Sequence, residues 1–174
     1  RRNPIVSSYI SQVTPSESSV IKRVAYEPLY LAHLRDALDI RGVQRVSFHE
    51  PLTGLRRIVM ITLAKGTSRA EVWRALYGAS SFRSDTGKIC VAVNEDIDPE
   101  NSDALLWAIS YRSNPVRDIK IIEPRGLGHG PSREHGEAQD SALLIDATMK
   151  EDLPPLALPK QEYMERAKAI WEEL

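Results

Sequence analysis

Hydrophobic positions along this chain change their period several times, and each change marks an element. Between residues 14 and 38, Val20, Ile21, Val24, Leu31, Leu34 and Leu38 recur at helical spacing and predict a core-facing stripe. Thr14-Pro-Ser-Glu17 supplies a capping box at its start, and Pro28 predicts a kink or a break inside it. Val43 to Phe48 and Leu55 to Leu63 read as strands around the turn signal Pro51-Leu-Thr-Gly54. Ser68 with Glu71 repeats the capping-box spacing and opens a helix through Tyr77. Lys88 to Val93 is a short, β-branched apolar run, as expected of a buried central strand. Asp98 is placed to cap a helix from Pro99 to about Tyr111, with Leu105, Leu106 and Ile109 on one face. Ile119 to Ile122 reads as a strand, and Ser141 to Ala147 is the last apolar run. From Lys160 the pattern is helical again, with Tyr163, Ala167, Ile170 and Trp171 on one side.

From Val43 onward the order is strand, strand, helix, strand, helix, strand. That alternation predicts an α/β fold: a mixed, largely parallel sheet flanked by helices, with at least one right-handed parallel crossover. An N-terminal linker helix and a C-terminal helix complete it. Residues 123–140 are rich in Gly, Pro and charge and lack periodicity. A loop of that length in a compact domain points to lid or binding duty. Leu153 to Pro159 reads as an extended, Pro-rich crossing.

At 174 residues the chain is long enough to bury a core of its own. Its 23 basic and 24 acidic residues leave a net charge of −1, so no global field draws it to nucleic acid or to an anionic membrane. No apolar stretch approaches a membrane span, and no signal peptide is visible. The single cysteine, Cys90, cannot form an internal disulfide, which fits a cytoplasmic protein. Within Ile89-Cys-Val-Ala-Val93 it reads as a small buried hydrophobe. The chain opens Arg1-Arg2-Asn3-Pro4 without Met and stops at Leu174 inside a helical pattern, so both ends read as cut.

Few residue sets suggest chemistry. Glu95, Asp96, Asp98 and Glu100 have the oxygen ligands a hard cation takes, but lack the Gly and distal Glu of a calcium loop; caps and turn charges account for them. Arg125-Gly-Leu-Gly-His-Gly130 follows a strand like a phosphate cradle, yet Pro131 and the polar run beyond provide no helix start. His129, in a Gly-rich loop, is the side chain best placed to act as acid, base or hydrogen-bond donor; a loop His without duty is the alternative. His129 with His135 lacks a third metal ligand. Asp146 follows apolar residues, and a buried carboxylate there needs a partner such as Lys150 or Arg112. Trp73, Trp107 and Trp171 read as core or interface aromatics, and no nucleophile with an activating base can be named.

Several segments together resemble the UbiD family of decarboxylases. Arg2-Asn-Pro-Ile5 looks like the exit from the family's flavin-binding domain, and Thr14 to Leu38 is similar to its interdomain helix. Asp96-Ile-Asp98, Leu106-Trp-Ala-Ile109, Arg112 and Pro115-Val-Arg-Asp118 resemble its most recognisable C-terminal block. His129-Gly-Pro131 looks like a loop motif of aromatic-acid members, and Leu144-Ile-Asp-Ala-Thr148 with Lys150 like the closing motif. The resemblance implies a C-terminal fragment of an enzyme that removes carbon dioxide, non-oxidatively and in some members reversibly, from aromatic, heteroaromatic or α,β-unsaturated acids. It implies prenylated FMN held with a divalent metal (Mn or Mg) and K by upstream domains. The carbanion character left by decarboxylation is absorbed by such a cofactor, while the protein supplies a dry, shaped site.

The family's catalytic Arg-Glu-Glu set belongs to those upstream domains, and nothing here matches it. This piece is therefore expected to hold no catalytic, cofactor-binding or metal-binding residue and to be inactive alone. By resemblance, its mobile domain covers the flavin and contributes Tyr77 and Phe82, placed after the second long helix, with Leu127 and His129 from the loop. The Gly-Pro-Ser and Arg-Glu-His run after His129 departs from the pattern expected of an alkene-acid decarboxylase, and a His129 that reaches the pocket to hydrogen-bond a phenolic hydroxyl or position the ring favours a hydroxylated aromatic acid. The expected division is a missing domain's end at 1–13, an interdomain helix at 14–39, the α/β domain at 40–159 and a C-terminal helix for oligomer contacts at 160–174. Expected partners are the upstream flavin domains, a small aromatic acid and further copies of the chain. Two other readings stay open: a non-catalytic oligomerisation or interaction domain, and a free-standing small-molecule or metal-binding α/β protein.

Overall fold

The computed structural model describes residues 17–48, 56–126, 139–151, 153 and 159–173. The Thr14 cap, the Pro51–Gly54 turn, Arg2–Ile5 and the loop residues Leu127, His129 and His135 lie outside them. Helix α1 (Glu17–Ala32) runs through Pro28 without breaking and continues as a π-helical turn over His33–Ala37. Pro28 sits on the exposed side, where the carbonyl it leaves unbonded can be hydrated. Five strands follow: β1 (Val43–Ser47), β2 (Ile58–Leu63), β3 (Ile89–Asn94), β4 (Ile119–Gly126) and β5 (Gln139–Asp146), with α2 (Arg69–Phe82), α3 (Ser102–Arg112) and α4 (Pro115–Asp118) between them and α5 (Gln161–Glu172) last. The sheet order is β1-β2-β3-β5-β4. The three inner strands are parallel, in register Ile58 to Ile89 and Ile89 to Leu143, and each edge strand is antiparallel to its neighbour. The β2-α2-β3 unit is the crossover expected from the alternation, and β3 is the central strand.

Alternation along the inner strands divides the core between the two faces. Val59, Ile61, Leu63, Cys90, Ala92 and Leu144 meet Tyr30 of α1, Leu34 of the π-helical turn, and Val72, Leu76 and Ala79 of α2. Val91, Val93 and Ile145 form a smaller cluster with Ala108, flanked by Leu105 and Ile109 of α3. Tight approach is needed on the first face: a Cβ on Gly78 would lie 2.6 Å from Leu38 Cδ1 and 3.0 Å from Leu34 Cδ2.

Several expectations need correction. Val20, Ile21 and Val24 are 50%, 62% and 67% exposed, because α1 meets the sheet only from Tyr26 onward; the stripe is Tyr26, Tyr30, Leu34 and Leu38. Asp98 does not cap α3. Its Oδ1 accepts the Glu100 N–H in a preceding turn, and Asn101 is the cap, accepting from the Asp103 and Ala104 N–H groups. The face of α3 that meets the sheet carries 104, 105, 108, 109 and 112, leaving Leu106 61% exposed. Helix α2 extends past Tyr77 to Phe82, and β4 past Ile122 to Gly126. Helix α4, capped by Asn114 with Pro115 at its first turn, was not anticipated. The Ser68–Glu71 cap forms as expected.

Candidate functional site

The parallel strands divide the polar residues between two edges of the sheet. At their C-terminal ends, where open α/β sheets ordinarily bind ligands, lies a cavity of about 250 Å³ lined by Thr67, Ser68, Arg69, Asn94, Asp146 and Lys150 among others. Its polar groups are largely spent on one another. Asp146 Oδ1 accepts from Thr148 N–H (3.0 Å), Thr148 Oγ1 (2.6 Å) and Lys150 Nζ (2.9 Å). Lys150 also donates to the carbonyls of Asp146 and Thr148. Asn94 donates to the carbonyls of Leu63 and Ala64 and accepts the Met149 N–H. Asp118 accepts from Arg69 and from the Asn114 N–H. Beside it, Arg112 donates both terminal nitrogens to Asp96, whose carboxyl it holds below the usual range, and lays its guanidinium on Trp107 at 5.0 Å. Asp146 thus takes Lys150, as one of the two expected partners, and Arg112 goes elsewhere. These links tie the ends of β2, β3 and β5 together, which makes this edge a frame.

The acidic run is spent in the same way. Glu95 accepts from Gln44, Glu100 from Arg23 and Arg45, and Asp98 from backbone. Among the described residues no three His, Cys, Asp or Glu side chains gather as a cation site. The described donor set therefore does not fit the divalent metal that would hold a flavin phosphate. Cys90 is fully buried, and burial pushes its thiol up to about 12, consistent with a small hydrophobe.

Of the sequence-named site residues the opposite edge holds Phe82; Leu127 and His129 lie outside the described residues. Helix α2 runs back across the sheet and ends there, so Phe82 and Arg83 lie beside the end of β4; Arg125 donates to the Arg83 carbonyl at 3.0 Å. Phe82 is partly buried, edge-on to Tyr30 (centroids 4.9 Å) and stacked on His33 (4.0 Å). Tyr77 is 41% exposed on the middle of α2, 6.1 Å from the Trp73 ring, with Lys120 Nζ 5.9 Å from its centroid. Burial of the His33 imidazole lowers its pKa, favouring the neutral form on Phe82.

Sequence reasoning missed the charges on this edge. Lys88 Nζ donates to both oxygens of Asp140 (2.7 and 2.9 Å), and Arg57 donates to one of them (2.9 Å). Arg56 and Arg83 carry their guanidinium groups 4.8 and 5.1 Å from the Tyr26 ring. The only signal was that Arg56, Arg57, Lys88 and Arg125 all stand at strand boundaries, which has meaning once the strand order is known.

Hydrogen bonding from Lys88, then from the Ser141 N–H and Arg57, holds the Asp140 carboxyl down at about 2. A depressed carboxylate contributes stability above the unfolded-state value of about 3.9 and loses it as pH falls toward 2. Asp140→Asn is expected to flatten the acid limb of stability between about pH 4 and 2. Urea unfolding of both proteins across that window checks it; parallel losses would rule the linkage out.

The geometry is that of a known family. The sequence profile described as the 3-octaprenyl-4-hydroxybenzoate carboxy-lyase C-terminal domain, UbiD_C, matches residues 19–147. The chain belongs to the UbiD C-terminal domain family. It is 25% identical, over 185 residues, to an uncharacterized protein of Archaeoglobus fulgidus, an alignment covering 100% of this chain and 37% of that protein. Two solved structures share the fold. The UbiD-class enzyme HmfF from Pelotomaculum thermopropionicum, in complex with FMN, superposes with a TM-score of 0.68 at 22% identity, over 87% of this chain and 34% of that one. The closed form of the vanillic acid decarboxylase of Sedimentibacter hydroxybenzoicus gives 0.66 at 20% identity, over 90% and 34%. The chain spans about a third of the length of these relatives. In this UbiD domain the family-like residues Asp96, Arg112, Asp118, Asp146 and Lys150 build the frame edge, while the candidate site lies across the sheet. No helix among the described residues is long and apolar enough to cross a membrane.

Proposed function

We propose that this UbiD C-terminal domain is the mobile, substrate-pocket-covering part of a non-oxidative decarboxylase of aromatic or hydroxyaromatic acids, working over prenylated FMN held by upstream domains. The observation that carries the reading is the family match over residues 19–147, joined to the meeting of the α2 end and the β4 end at one edge. The vanillic acid decarboxylase has been solved in closed and open forms, which supports mobility of the domain. The division into an end of the flavin domain at 1–13, an interdomain helix at 14–39, the α/β domain at 40–159 and a C-terminal helix at 160–174 follows the same reading. The exposed Val20, Ile21 and Val24 of α1 suit a helix lying against another domain.

In this assignment Phe82, held by Tyr30 and His33, is a rigid wall of the pocket, Tyr77 and Leu127 add contact surface, and His129 hydrogen-bonds a phenolic hydroxyl of the substrate. His129→Ala in the full-length enzyme is expected to lower kcat/KM for a hydroxylated aromatic acid by about tenfold to a hundredfold, the value of one or two lost hydrogen bonds. The loss should be smaller for the same acid without the hydroxyl. Unchanged kcat and KM for both acids would overturn the assignment.

A second reading has its own observation. Helix α5 buries none of its residues, and Tyr163, Ile170 and Trp171 are 59%, 52% and 78% exposed on an amphipathic helix. Such a helix favours an assembly role, in which the domain contributes oligomer contacts, and an evolved form of HmfF is described as dimeric. Sedimentation of the chain with and without residues 160–174 separates the two roles.

A further inference from the structure

Helix α1 changes character part-way along its length. From Tyr26 onward it packs on the sheet core, while Val20, Ile21 and Val24 before it stay largely outside. Pro28 stands at that junction. Its nitrogen carries no hydrogen, so the Val24 carbonyl loses its helical bond and the stretch from 24 to 28 bends most easily.

At the same level the helix is joined to the α/β domain by charge. Arg23 is forked: its Nε donates to Glu27 Oε1 at 2.7 Å, and a terminal nitrogen donates to Glu100 Oε1 at 2.7 Å. Glu27 Oε1 also accepts the Phe48 N–H, just past β1, at 3.0 Å. Glu100, in the turn before α3, also accepts from Arg45 of β1. Phe48, Glu27, Arg23, Glu100 and Arg45 thus form one run of alternating donors and acceptors between α1, β1 and that turn. The planar guanidinium fixes the direction of both its bonds, and so the angle of the helix. The four charged side chains are 23% to 47% exposed, so dissolved salt reaches them. A contact of this kind is weaker than core packing and suits a joint that opens as well as closes.

We propose that Arg23 and Glu100 form a latch that holds the first half of α1 at one angle to the α/β domain, and that its release lets the helix pivot between Val24 and Pro28. The proposal deepens the reading of α1 as the interdomain helix and rests on it. Under that reading the angle of α1 sets where the α/β domain stands over the upstream domains. Arg23 and Glu100 are then positioning residues, acting through the helix.

Distances between two spin labels in the full-length protein test it, with Lys22→Cys on α1 and Val116→Cys on α4 as exposed attachment points. Cys90 is buried and does not take the label. One dominant distance is expected at low ionic strength. Glu100→Gln and Arg23→Gln should each raise the share of a second distance about two- to fivefold, the value of a partly exposed pair. Their combined effect should fall short of the product of the two, because both remove the same contact. High salt should raise the second distance in the parent and leave the Glu100→Gln variant unmoved. Adding Pro28→Ala to Glu100→Gln should lower it again, since the bond to the Val24 carbonyl returns. A single distance that ignores both substitutions and salt overturns the proposal. So does a second distance that follows the full product or that ignores Pro28→Ala. Turnover is scored separately. An active decarboxylase whose distances do not respond defeats this inference alone, and responsive distances in a protein without decarboxylase activity defeat the proposed function alone.

Discussion

Asp146→Ala is expected to destabilise the domain by about 3–5 kcal/mol, the range for removing one partner of a buried ion pair. Its side chain is 2% exposed, and one carboxylate oxygen collects three donors: the Thr148 N–H, the Thr148 hydroxyl and the Lys150 ammonium. Alanine leaves a largely buried ammonium facing only carbonyl oxygens, with Asp118 4.0 Å away as its nearest remaining charge. For a chain of this size each kcal/mol lowers the melting temperature by about 2–4 °C, so a fall of roughly 10 °C is expected. Asp146→Asn keeps an oxygen for the Thr148 donors and discards only the charge; it is expected to cost about half as much. Urea unfolding of the three proteins measures both values. A loss below about 1 kcal/mol for Asp146→Ala would mean that the frame edge is not held by this carboxylate.

Tyr30→Ala is expected to cost about 3–5 kcal/mol, as for other large aromatic truncations in a core. Tyr30 is fully buried, edge-on to Phe48 and to Phe82 at 4.9 Å each, with its hydroxyl bonded to the buried Thr86. Tyr30→Phe separates the contributions: the rings stay, Thr86 loses its partner, and about 1–3 kcal/mol is expected. The consequence reaches the candidate site, because Tyr30 and His33 fix the Phe82 ring. In the full-length enzyme Tyr30→Phe should therefore leave KM near its original value, while a smaller residue that still folds, Tyr30→Leu, should raise it. Thermal unfolding with steady-state kinetics reads both effects. Equal stability losses for Tyr30→Phe and Tyr30→Ala would assign the whole contribution to the hydroxyl.

Much of the architecture was legible before any coordinates. The strand-helix alternation predicted the α/β class, the β-branched run at 88–93 predicted the central strand, and the Ser68–Glu71 pair marked the start of α2. These features are local: caps, turns and periodicity act over a few residues, and tertiary contacts here agree with them. Where they disagreed, the errors were of phase. Leu106 and Val24 are apolar and periodic, yet they point outward, because periodicity names a stripe without saying which stripe meets the sheet. Helix α2 overran its expected end because Gly78, Ala79 and Ser80, small and unremarkable in sequence, are buried, with Gly78 close against Leu34 and Leu38.

The chemistry divides the same way. By itself the sequence determined the class of fold, a buried and unreactive Cys90, the need of Asp146 for a partner and the resemblance that led to the UbiD family. Only the tertiary structure decided which residues share an edge. Asp96, Arg112, Asp118 and Lys150 came together as a frame, and Arg56, Lys88, Arg125 and Asp140 came together opposite them, although up to 84 positions separate their members. The physical reason is that a charge is judged by its neighbours at a few ångströms. Those neighbours are set by strand order and register, which no window of local sequence contains.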